Sequence, residues 1–428
     1  MPRTSLIIIL SLCLAACQSS GGAKSTAAQD GSAGTVASAE PAAGTTTDVP
    51  EKPSFAEWLE DLREEALAAG VSGDTFDRAF AAVRVNPEIV AKDRDQSEFT
   101  KPVWSYLDSA VSPERVANGR FKQTEYRPEL NAAAKRFGVP AEIILAIWGL
   151  ESAYGTNTGG YNVIEALATL AYDGRRPGMF REQLIDALLI LEAGDIDPIA
   201  MRGSWAGAMG QTQFMPSAFR KYAVDGDKDG RRDIWGDPAD VFDSTANYLT
   251  GFGWTPGSPW GTEVKLPRDF PWEQAEIDIK KPVTEWRKLG VRLANGGELP
   301  AVSSLASIIT PAGHRGPAFI VFKNFHTILR YNYSSAYALA VGHLADRIAG
   351  GPPLIATWPR DDQPLTKDER VALQELLSDL GYDPGGVDGV VGPKTRTALR
   401  QFQRSIGEVP DGYPTSQLLQ QLKENATS

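Results

Sequence analysis

Eight consecutive apolar or small residues, Ile143-Ile144-Leu145-Ala146-Ile147-Trp148-Gly149-Leu150, lie between Pro140 and Gly155 and end on Glu151. Proline suits the first turn of a helix, and glycine stops one. The stretch reads as a short helix that is apolar nearly all round, and such a helix has to be buried. The fold must close around it, with a carboxyl at its end. Burial disfavours the charged form, so Glu151 is expected to hold its proton near neutral pH. A carboxylic acid that is neutral at pH 7 is what cleavage of a glycosidic bond requires.

A second segment, Gly203-Ser204-Trp205-Ala206-Gly207-Ala208-Met209-Gly210-Gln211-Thr212-Gln213-Phe214-Met215-Pro216, follows about fifty residues later. Its small residues let backbone approach a ligand closely. Met209 and Phe214 are assigned to packing. A third, Asp225-Gly226-Asp227-Lys228-Asp229-Gly230-Arg231, has the D-x-D-x-D-G spacing of a calcium-binding loop. Alternating carboxylates of Asp225, Asp227 and Asp229 would wrap a hard cation, and the carbonyl of Arg231 would be the seventh-position ligand. The twelfth position is Gly236 and not glutamate, which leaves the closing ligand open between Asp237 and Asp240. A structural Ca²⁺ is expected, and no cofactor for the chemistry. The three histidines show no metal-ligand spacing.

The chain of 428 residues is long enough for two or three domains. Its net charge of -11 argues against nucleic acid as a partner. The N-terminus reads as a targeting segment: Arg3, the apolar Leu6 to Leu12, then Leu14-Ala15-Ala16-Cys17, a lipobox. Cleavage before Cys17 would leave its thiol for lipid, so residues 1–16 are assigned as signal peptide. Residues 17–53, rich in Ala, Gly, Ser and Thr, are assigned as a flexible tether. Gln18 resembles an outer-membrane sorting signal. The expected location is the periplasm, lipid-anchored to the outer membrane.

Phe55, Trp58, Leu59 and Leu62 follow helical spacing. Gly70 should end that helix, and Ser72 or Asp74 should cap another running to Val83. Leu184 to Leu191 and Ser335 to Ile348 are further helices. Trp254 to Ser303 is rich in Pro, Gly and Trp, with Thr262 to Leu266 β-prone, and Phe319 to Phe322 is another strand candidate. The expected class is mainly α (α+β): a helical domain over 54–350 with a small β-containing insertion, a linker at 351–364, and a compact three-helix unit over 365–424.

Gly-Leu-Glu-Ser-x-Tyr-Gly at 149–155, followed by Gly-Ala-Met-Gly-Gln-x-Gln-Phe-Met-Pro-Ser at 207–217, resembles the membrane-bound lytic murein transglycosylase B family. The likeness runs from about Phe55 to Ala349. It implies a lysozyme-like fold and cleavage of the β-1,4 bond between N-acetylmuramic acid and N-acetylglucosamine in peptidoglycan. One glutamate, here Glu151, would serve as both acid and base and leave 1,6-anhydromuramic acid ends. Ser204, Gln213, Tyr248, Tyr331, Asn332 and Tyr337 fall on the family's cleft positions, and Asp240 on its closing metal ligand. The C-terminal unit, with Val387-Asp388-Gly389-Val390-Val391-Gly392-Pro393, resembles a peptidoglycan-binding domain. Expected partners are glycan strands, the membrane through lipid on Cys17, and complexes of wall synthesis or division. The rival readings are a hydrolytic muramidase on the same fold and a non-catalytic wall-binding scaffold.

Overall fold

The computed structural model describes residues 52–95 and 101–427. The lipobox and most of the tether lie outside the described residues. Within them the chain forms 17 α-helices and two small sheets.

The apolar run forms the helix Ala141–Ser152, with every residue from Ile143 to Gly149 buried. Pro140 stands just outside it, as the N-cap. The helix stops before Gly155. Ala153 and Tyr154 both take left-handed φ, 49° and 60°, and Gly155 follows at 82°. Two non-glycine residues in that region are costly and persist only where packing enforces them. Here Tyr154 is the wedge. Its ring lies over Gly149, where a Cβ would sit 2.6 Å from the ring. Its hydroxyl donates to the Arg115 carbonyl at 2.8 Å. The Gly-Leu-Glu-Ser-x-Tyr-Gly motif is thus the requirement for turning the chain sharply after Glu151.

Helices Pro113–Glu125, Arg127–Phe137, Pro238–Gly251 and Ser335–Ile348 pack around this central helix. Ser335–Ile348 has the bounds read from sequence. Ser54 caps Phe55–Ala68 through a capping box, and Ser72 caps Gly73–Phe80, which ends short of Val83. The two-stranded sheet pairs Tyr161–Asn162 with Arg202–Gly203.

The larger sheet is antiparallel, in the order 281–282, 305–309, 318–321, 261–265, 292–293. Strand Ala318–Val321 is buried throughout, because the sheet separates two cores. Phe319 and Val321 face the main helical core. Ala318 and Ile320 point the other way, into a smaller core with Phe270, Trp272 and Trp286. The period of two along a strand gives each core alternate residues.

Helices Lys367–Asp379, Pro393–Ser405 and Ser416–Ala426 close a third core around Leu373, Leu377, Leu399, Phe402 and Leu422. This unit docks on the β-containing part by charge. Glu276 accepts from Arg396 at 2.8 and 3.0 Å and from the buried Arg400 at 2.5 Å. His314 Nδ1 lies 2.7 Å from the buried Asp411, and the His314 backbone N–H donates to the same carboxylate at 2.8 Å.

Candidate active site

Glu151 is half-buried on the last turn of its helix. The Tyr337 hydroxyl donates to Glu151 Oε1 at 2.6 Å. Burial pushes the carboxyl from 4.5 up to about 7, and the Tyr337 hydrogen bond partly opposes that rise. Among the described residues, no second carboxylate is among the groups that shift it. Tyr337 itself is 1% exposed, and burial holds its phenol well above the usual range, so it stays a donor. The result is an acid near half-protonation at neutral pH, which is the best compromise for giving and taking one proton.

Tyr331 stacks on Tyr337, with ring centroids 6.4 Å apart. Tyr248 packs on Tyr331 at 4.7 Å, and Phe214 touches both. The hydroxyls are tied down: Tyr331 donates to the Thr212 carbonyl and Tyr248 to the Arg330 carbonyl, each at 2.7 Å. Tyr248 and Tyr331 are therefore buried supports behind Tyr337 as the protein stands. Asn332 is buried beside them in sequence. The exposed ring of that loop is Tyr333.

The small-residue segment folds into tight turns next to this cluster. Ser204 is buried and its Oγ accepts from the Ala208 N–H at 3.0 Å. Gly207 comes close enough to Leu167 that a Cβ would lie 2.4 Å from it. Gln213 sits at φ 52°, a strained position for a residue with a side chain. Its Nε2 donates to the Thr158 and Gly210 carbonyls at 3.0 and 2.8 Å. Both amide hydrogens are used, and among the described residues no donor reaches Oε1, which leaves that oxygen to accept.

Gln211, to which sequence reasoning assigns no role, is drawn into the site from behind. Its Oε1 accepts from the Trp148 indole N–H at 2.8 Å. The available signal is a second amide, two residues before Gln213, in a stretch otherwise dominated by small and apolar residues.

The acidic loop brings the carboxylates of Asp225, Asp227 and Asp229 together, with one oxygen of each within 4.8 Å of the others. Loop N–H groups bind them: Lys228 and Gly230 to Asp225, Asp229 to Asp227, and Arg231 to Asp229. Gly230 turns at φ 97°. The donor set and the turn fit a hard cation. Asp237 is committed as a helix cap, accepting from the Ala239 and Asp240 N–H groups. Asp240 is buried and clamps both ends of the loop, accepting from Gly226 at 2.6 Å and Asp233 at 2.5 Å. Each of its oxygens keeps a further lone pair, so the clamp does not preclude coordination.

A half-buried carboxyl at a helix end, a phenol that donates to it and a glycine-rich turn nearby are parts that a glycan-cleaving site of lysozyme type would need. Residues 54–346 match the transglycosylase SLT domain, and the chain belongs to that family. Residues 366–422 match the peptidoglycan binding domain. The chain is 34% identical over 250 residues to membrane-bound lytic murein transglycosylase B of Escherichia coli K12. That stretch covers 57% of this chain and 66% of the relative, just under two thirds. SltB3 of Pseudomonas aeruginosa, solved with NAG-anhNAM-pentapeptide, superposes with a TM-score of 0.83 at 51% identity, over 86% of this chain and 99% of that one. The Escherichia coli lytic transglycosylase Slt35, solved with calcium, gives 0.60 at 29% identity, over 71% and 94%. No helix among the described residues is long and apolar enough to cross a membrane.

Proposed function

We propose that this protein is a lytic transglycosylase that cleaves the β-1,4 bond between N-acetylmuramic acid and N-acetylglucosamine. The observation that carries the reading is Glu151, held near pKa 7 by burial and gripped by Tyr337. Protonated Glu151 gives its proton to the bridging oxygen as the C1–O bond breaks. The N-acetylglucosamine side leaves with that proton on its hydroxyl. The carboxylate then takes the proton of the muramic acid 6-hydroxyl, and that oxygen closes on C1. Glu151 ends protonated, no water is consumed, and the product is a 1,6-anhydro sugar. One group passes through both roles, which explains why a single carboxyl suffices. Tyr337 steadies the carboxylate between the steps. Gln213 Oε1 would accept from a sugar hydroxyl or acetamide, which is supported by both of its amide hydrogens being used within the protein, and Ser204 and Asn332 would contribute to the cleft.

Asp225, Asp227 and Asp229, with the Arg231 carbonyl and Asp240, would hold Ca²⁺. The ion would fix the loop and supply no step of the reaction. The C-terminal helices would hold the enzyme on peptidoglycan, and lipid on Cys17 would anchor it in the periplasm at the outer membrane.

Digestion of purified sacculi, with products read by mass spectrometry, tests the function. Muropeptides ending in 1,6-anhydromuramic acid, lost in Glu151→Gln, are expected. Reducing-end muramic acid would mean a hydrolytic muramidase. No release, with the protein still pelleting on sacculi, would mean a scaffold.

A further inference from the structure

Gln211 reaches both flanks of Glu151 from a separate segment of the chain. It is 8% exposed. Its Oε1 accepts from Trp148, three residues before Glu151, at 2.8 Å. The same oxygen lies against Gly155, four residues after Glu151, where a Cβ would stand only 2.4 Å from it. Its Nε2 donates to the Trp235 carbonyl at 2.8 Å, and its backbone N–H donates to the Ile234 carbonyl at 2.8 Å. An indole can only donate and a carbonyl can only accept, so the amide has one orientation here.

Ile234 and Trp235 are the exit of the acidic loop. The Trp235 N–H donates to Asp233 Oδ1 at 2.9 Å, and the Asp233 N–H donates to Asp240 Oδ2 at 2.5 Å. Asp240 in turn receives Gly226, inside the loop. A contiguous chain of bonds therefore runs from the loop through Asp240, Asp233, Trp235 and Gln211 to Trp148. Trp148 is itself boxed by the rings of Tyr126, Phe242 and Tyr154. Trp148 and Glu151 lie on the same helix, three residues apart, so the indole and the carboxyl share one backbone segment.

We propose that Gln211 is a positioning residue that couples the seating of Glu151 to the state of the acidic loop. The proposal rests on Glu151 being the acid. It makes the loop more than a local stabiliser, because cation binding is transmitted to the carboxyl through one oriented amide. Connection in space alone does not establish such coupling, so the test reads the coupling itself.

Gln211→Met keeps the length and removes both side-chain bonds. The expected result is kcat for anhydro-product release lower by about ten- to a hundredfold, with KM within about twofold, as a loss of alignment would give. Trp148→Phe keeps an aromatic ring and removes the donor, and should reproduce the loss. In the double variant the two effects should not add, since one bond is lost twice. The second readout is the Trp148 indole N–H resonance, assigned by its absence in Trp148→Phe. It should move on addition of Ca²⁺ alone in the wild-type protein and stay fixed in Gln211→Met. Full kcat in folded Gln211→Met, additive losses, or no calcium-induced shift in the wild type would each overturn the proposal. Should Gln211→Met fail to fold, Trp148→Phe decides: unchanged kcat there overturns it too. Glu151→Gln, run alongside, separates the two readings. If it stays active, the acid assignment falls; if it is inactive while Gln211→Met is not, only the coupling falls.

Discussion

Replacing Glu151 with glutamine should make the protein more stable, and more so as the pH rises. Glutamine keeps an acceptor for the Tyr337 hydroxyl and removes the ionisation. In the folded protein the carboxyl titrates near 7, against 4.5 for an ordinary glutamate. A carboxyl raised in this way binds its proton more tightly folded than unfolded. Its contribution to stability is complete below the unfolded value of 4.5 and is lost as the pH climbs through 7. The gap of roughly 2.5 units, at about 1.4 kcal/mol each, sets a ceiling of about 3.5 kcal/mol. The carboxyl keeps some contact with solvent, so about 1–2 kcal/mol is the expected effect. The assay is urea unfolding of wild type and Glu151→Gln at about pH 5 and about pH 8.5. The difference between the two proteins should be small at the lower pH and grow in favour of the variant at the higher. A difference that does not change with pH, or one that grows in favour of the wild type, would refute the reasoning, because the carboxyl would then not be strained by burial.

Tyr337→Phe removes the bond that favours the carboxylate, so the pKa of Glu151 rises further and the alkaline limb of the pH–activity profile should move up by about one unit; a limb that stays put or moves down contradicts the assigned role. Gly149→Ala drives a methyl into the Tyr154 ring and should cost about 1–3 kcal/mol in thermal or urea unfolding together with most of the activity. Chelation of Ca²⁺ should lower the thermal unfolding temperature of the wild type and leave Asp227→Asn unmoved; equal unfolding with and without chelator would argue against the cation. Glu276→Ala strands the buried Arg400 and should cost about 3–5 kcal/mol of docking, seen as faster amide exchange in Pro393–Ser405.

The apolar run around Glu151 was legible because burial, helix and acid are all written in one stretch of residues. The three-helix unit was legible for a similar reason: local turn chemistry at Gly389 and at Gly392-Pro393 launches its helices. Strand Leu305–Ile309 was not, since its own Leu-Ala-Ser-Ile-Ile shows no clean alternation, and it is buried on both faces after its first residue. The tyrosines were named from the family resemblance, and only packing shows that Tyr337 bonds to Glu151 while Tyr248 and Tyr331 bond to backbone carbonyls. Gln211 escaped notice because its meaning lies in Trp148 and Trp235, 63 and 24 residues away. Helix termination after Glu151 was misplaced by two residues because Tyr154 forces a backbone conformation that glycine would ordinarily supply.

The C-terminal helices are fastened to the β-containing part by the contacts of the buried Arg400 with Glu276 and of the buried Asp411 with His314. A binding module on a loose leash samples many offsets and raises local concentration over a volume. One bolted in place behaves instead as a calliper. Any glycan that engages both the module and Glu151 must span a single fixed separation. On the proposed function, the distance between the point where a strand is held and the point where it is cut would be a property of the fold, set by those few contacts rather than by the length of the chain that joins the two parts.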